Sequence, residues 1–219
     1  MGKVETLCSN FPLYSEDLEI DIKKPSGRFR WFLASTLFGA RISEKIAMKT
    51  YRAFEKYGVL SPEKILDAGW DELVRILDEG GYVRYDFSTA TKLLNIMKEL
   101  KEKYGSLEEL YAHSGNTEEL KSKLMGFKGI GEVTSQIFLR ELRGVWKIDV
   151  PVSGKAAEMA ERMNINLEEF EGEKLTRVED ALVKFYLRYG KKGKRMDSLS
   201  QDILTGVYKK SSKSNSSAK

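Results

Sequence analysis

The clearest chemical pattern in the chain is Gly129-Ile130-Gly131, two glycines flanking one aliphatic residue between segments of helical period. Glycine permits a sharp turn, Ile130 is expected to plug it from inside, and the amides that open the next helix, at Glu132 and Val133, have no intrahelical acceptor. Amides at the positive end of a helix dipole attract anions, and a nucleic-acid phosphate is the natural one; Lys128 adds positive charge beside the turn. A purely structural helical hairpin would use the same residues, so this segment alone leaves both readings open.

Other reactive side chains offer less. Ser153-Gly154-Lys155 resembles the end of a phosphate-binding loop, but the upstream glycine is missing and Ala156 stands where a hydroxyl is required. The single cysteine, Cys8, and the single histidine, His113, are too few for a disulfide, a zinc site or an iron–sulfur cluster. Any metal would be oxygen-bound, and no cofactor is expected. The basic run Lys191-Lys192-Gly193-Lys194-Arg195 is either a solvated loop or a set of phosphate contacts.

Helices must position these residues. Ser26 precedes an apolar segment ending at Gly39, and Ser43 opens another ending at Gly58; Ser61-Pro62, Ser106 with Glu109 and Asn116 with Glu119 carry helix-start signals. Gly80-Gly81-Tyr82-Val83-Arg84-Tyr85 reads as a turn between helices that bears aromatics and a cation. From about Val145 a second block of helices follows, through Met163, then roughly Thr176–Tyr189 and Ser198–Tyr208. No strand alternation is sustained, so the fold class is all-α. Residues 1–35 with 145–210 are expected to form one discontinuous helical lobe, and 36–144 a central bundle ending in the hairpin. The Ser/Lys-rich tail 211–219 reads as disordered.

With 219 residues, 41% hydrophobic and 32% charged, the chain can bury a real core. It carries neither a membrane-spanning apolar run nor a signal-peptide pattern, which points to an intracellular protein, cytoplasmic or nucleoid-associated. A net charge of +4 permits a nucleic-acid partner without demanding one.

The segment from Leu124 through Gly129-Ile130-Gly131 to the apolar run Ile137, Phe138 and Leu142 resembles the hairpin of the helix-hairpin-helix DNA glycosylase superfamily, that of endonuclease III and 8-oxoguanine glycosylase. That superfamily places its catalytic aspartate shortly after the second hairpin helix, past a loop, at the start of the next helix; Asp149 in Lys147-Ile148-Asp149-Val150-Pro151 aligns with it. The resemblance runs more loosely from about Ser26 to Tyr189.

What the resemblance implies is an active-site cleft between two helical lobes, with a buried Asp149 at their junction stabilising positive charge on the deoxyribose while a damaged or mispaired base is flipped out of duplex DNA. The plain alternative for Asp149 is a helix N-cap. Strand-nicking members carry a lysine two residues past the second hairpin glycine; Val133 stands there, so the resemblance implies a monofunctional glycosylase in which water attacks, or else loss of activity, and a monomer is expected. Lys155 is the candidate substitute amine, for an abasic-site lyase. The family's four-cysteine cluster is absent. The loop that fills the gap left by the flipped base corresponds to Leu37–Ser43, offering Phe38 as a wedge or Arg41 as a probe, against core packing and solvation. Tyr82 takes the second wedge position with Arg84 or Tyr85 beside it, unless Tyr82 only staples two helices. A catalytically silent DNA-binding or damage-recognition module is the alternative function.

Overall fold

The structure, a computed structural model, describes residues 2–190. The expected helix Ser198–Tyr208, the basic run 191–195 and the tail 211–219 lie outside the described residues. The helices are α1 (Lys3–Asn10), α2 (Tyr14–Asp17), α3 (Pro25–Phe38), α4 (Glu44–Lys56), α5 (Pro62–Gly80), α6 (Asp86–Lys103), α7 (Leu107–Ala112), α8 (Thr117–Met125), α9 (Glu132–Trp146), α10 (Gly154–Arg162) and α11 (Gly172–Phe185). Among the described residues there is no strand, and the protein is all-α. No helix there is long and apolar enough to cross a membrane.

Helix starts follow local chemistry. The side chains of Ser43, Ser61, Ser106 and Asn116 accept hydrogen bonds from the amides of Ile46, Lys64, Glu109 and Glu119, opening α4, α5, α7 and α8. Helix α3 begins at Pro25, where a missing N–H costs nothing, rather than after Ser26.

The described residues form two compact units, Tyr14–Pro151 and a second made of residues up to Leu13 with those from Val152 to Gly190. The divisions thus fall near 13 and 151 instead of the expected 35 and 144. The cause is aromatic packing along α9. Trp31 Nε1 donates to Phe138 O at 3.1 Å, and the Phe32 ring meets Phe138 edge-on at 5.2 Å, so α3 belongs to the larger unit. Tyr14, Leu18 and Ile20 are buried in the same core. At the other end Tyr111 stacks on Trp146 at 4.5 Å, which keeps the end of α9 in that unit as well. In the second unit α1, α10 and α11 enclose Leu7, Phe11, Met159, Val178, Leu182 and Phe185, and Lys3 Nζ donates to Met163 O at 2.7 Å.

Candidate nucleic-acid interface

The turn between α8 and α9 is held from beneath. Phe127 and Ile130 are buried, and the Ile130 amide donates to Phe127 O at 2.9 Å. Gly129 takes φ +100°, a left-handed conformation that favours glycine. Gly131 is extended at the N-cap of α9, and unlike the starts of α4, α5, α7 and α8 this one has no side-chain cap. The first amides of α9, from Glu132 onward, therefore keep their donor capacity for a ligand. Lys128 and Gly131 are exposed, Glu132 is engaged by Lys121, and Val133 projects into solvent, 59% exposed.

Downstream, α9 delivers Asp149. Lys147 ends the helix in the left-handed region, the Ile148 amide donates to Arg143 O at 3.2 Å, and Arg143 Nη2 donates to Val150 O at 2.8 Å. The buried Arg143 thus fixes the backbone on both sides of Asp149. Two expectations need correction. Asp149 is exposed rather than buried, and it lies in a segment without regular secondary structure four residues ahead of Ser153, the N-cap position of α10, rather than at a helix start. Pro151 disfavours a helical conformation at Val150, so the next helix does not open before it. Among the described residues the Asp149 carboxylate has no hydrogen-bond or ion-pair partner, so the N-cap reading fails. Arg143 was missed at the sequence level, because an arginine on an amphipathic helix gives no sign that it folds back onto the following loop.

Two further turns join the hairpin. A Cβ on Gly39 would lie 1.9 Å from Thr134 Oγ1, so the Leu37–Ser43 turn rests directly on the first turn of α9. Tyr82 OH donates to Leu37 O at 2.6 Å, tying the Gly80–Tyr85 turn to the same place. The expected wedges are corrected here. Tyr82 is buried, and burial pushes its phenol pKa up; it is a staple and cannot stack on a base. Phe38 is half-buried against Tyr14 at 5.0 Å and Trp31 at 6.3 Å, part of the core rim. Arg41 and Arg84 are exposed, and so are Tyr85 and Val83, the latter at 66%. Lys155 is exposed in the first turn of α10, in the second compact unit.

The staple carries a prediction. Tyr82→Phe removes one buried hydrogen bond and keeps the ring, so stability should fall by about 1 kcal/mol. A thermal melt checks this; an unchanged midpoint would mean that the hydroxyl is not holding the two turns together.

Compared with known proteins, the chain matches no family model and no curated protein. Among solved structures it is similar to an H. pylori 3-methyladenine DNA glycosylase bound to 1,N6-ethenoadenine, with 14% identity over 86% of this chain and 98% of that one and a TM-score of 0.50. At that identity the likeness establishes a shared helical fold.

Proposed function

We propose that the protein is a DNA N-glycosylase of base-excision repair, monofunctional, that flips a damaged or mispaired base from duplex DNA and hydrolyses its N-glycosidic bond with the help of Asp149. The observation that carries this reading is the unpartnered Asp149 carboxylate, fixed through Arg143 directly beyond an uncapped hairpin helix. The helical fold shared with a glycosylase along nearly all of that enzyme's length supports it.

The chemistry follows from charge. As the glycosidic bond breaks, positive charge grows on the sugar, and a carboxylate held by a rigid backbone stabilises that charge without first reorganising. Water then attacks C1′, since Val133 offers no amine. The hairpin amides with Lys128 hold the backbone, and Arg84 offers a further phosphate contact. In place of Tyr82, the exposed Val83 fills the gap left by the flipped base, with Arg41 entering from the Leu37–Ser43 turn. The protein acts as a monomer, inside the cell.

The test is a panel of duplexes bearing alkylated purines, uracil, oxidised bases and mismatches, incubated with the protein and read with and without alkali. Alkylated purines come first because the structurally similar enzyme was captured with an ethenoadenine. Base release that leaves strands intact until alkali is added is the expected result. A borohydride-trapped protein–DNA adduct would reject the water mechanism, and tight duplex binding without release on any substrate would reject catalysis.

A separate prediction concerns Arg143. Arg143→Met removes the bond to Val150 O, so base release should slow about tenfold or more through misplacement of Asp149. Duplex affinity should stay within about threefold, because Arg143 is a buried positioning residue, remote from the phosphates in this reading. Single-turnover rates and a titration check the two halves; equal losses in both would remove the positioning role.

A further inference from the structure

Lys92, on α6, is placed against the hairpin in a way that the pattern of glycines does not announce. A Cβ built on Gly129 would lie 2.3 Å from Lys92 Cδ and 2.7 Å from its Cγ, so the bare backbone of Gly129 rests on the lysine stem. Gly129 is therefore required twice, once for its positive φ and once for this approach. The side chain is half-buried, and among the described residues its ammonium has neither a carboxylate nor a carbonyl partner. Many lysines of the larger unit have one: Lys24, Lys56, Lys98, Lys101, Lys103, Lys121 and Lys123 are all ion-paired.

We propose that Lys92 is a ligand for a DNA backbone phosphate at the hairpin, supplying from below the turn the positive charge that Lys128 supplies from its exposed face. This rests on the reading of the hairpin as a DNA clamp. A cation withdrawn from water without a counter-ion is costly to keep, and the cost is relieved when an anion docks beside it. Consistent with that, burial holds the Lys92 ammonium below the usual lysine pKa, and no neighbouring charge contributes. A phosphodiester suits the place, being a singly charged group that the turn amides and one ammonium can hold together.

The experiment compares duplex binding by the parent and by Lys92→Met, which keeps the stem against Gly129 and removes the charge, between about 50 and 200 mM salt. The slope of log affinity against log salt should fall by about 0.9, the signature of one lost phosphate contact. Affinity near 0.1 M salt should fall roughly tenfold, with a melting midpoint no lower than the parent's, since the half-buried ammonium makes no ion pair or hydrogen bond that the variant would lose. An unchanged slope in the folded variant overturns the Lys92 proposal and leaves the hairpin reading standing. A parent that shows no salt-dependent duplex binding removes the hairpin reading itself. As a measurement that needs no variant to fold, reductively ¹³C-methylated lysines of the parent can be followed by NMR; the Lys92 signal should shift on adding duplex, and its staying fixed would also overturn the proposal.

Discussion

Asp149→Asn is expected to slow base release by at least about a hundredfold, equivalent to about 2.7 kcal/mol of lost transition-state stabilisation, while duplex affinity holds or rises slightly. The substitution keeps the shape of the side chain and removes only its charge. Because Asp149 is exposed and its carboxylate makes no hydrogen bond or ion pair among the described residues, no cap or ion pair is lost with it and the melting midpoint should not move. That separates a chemical role from a structural one. Affinity cannot suffer electrostatically, since a negative charge near phosphates has been deleted. Single-turnover kinetics on whichever panel substrate is cleaved, paired with a melt, decide it. Base release at the parental rate would remove Asp149 from the chemistry and leave the hairpin as the only functional feature.

Much of the architecture was legible because helix signals are local. Ser43, Ser61, Ser106 and Asn116 mark helix starts whatever the rest of the chain does, and each accepts its expected amide. The divisions between units were not legible, since they depend on which helices share a core, and Trp31 reaching Phe138 across the sequence is a long-range fact. Tyr82 stays open between wedge and staple at the level of sequence, although a local signal exists that decides for the staple. Gly81 takes φ +101°, its amide donates to Asp78 O, and the Tyr82 amide donates to Leu77 O, a helix ending in which the residue after the left-handed glycine packs inward. The first side chain free to project from such an ending is the next one, Val83. Phe38 likewise stays open between loop-tip wedge and core packing because its neighbours Tyr14 and Trp31 are distant or helical in the sequence. Lys92 was invisible for a different reason: nothing in a helical run of lysines distinguishes the one whose stem passes beneath a glycine of another turn.

The uncapped start of α9 yields the second large effect, one in which stability and binding should move in opposite directions. Gly131 sits at the N-cap in an extended conformation open to any residue, and a Cβ there would meet nothing within 4 Å. Gly131→Asp should therefore fold, and its carboxylate should accept from the free amides of α9 as Ser43 and Asn116 do for their helices. Cap and dipole together should add a few tenths to about 1 kcal/mol, raising the melting midpoint by about 1–3 °C. The same carboxylate would occupy the place proposed for the phosphate and repel it, so duplex affinity should fall at least about tenfold regardless of base sequence. Gly131→Asn, which caps without charge, should show the stabilisation with a smaller loss of binding, isolating repulsion from occupancy. The contrast with Gly129→Ala is instructive. There the new methyl would collide with the Lys92 stem at a positive φ, so that variant should lose stability and binding together. If Gly131→Asp is more stable than the parent and binds duplex as tightly, the amides of α9 do not face the DNA backbone, and the hairpin is a structural turn.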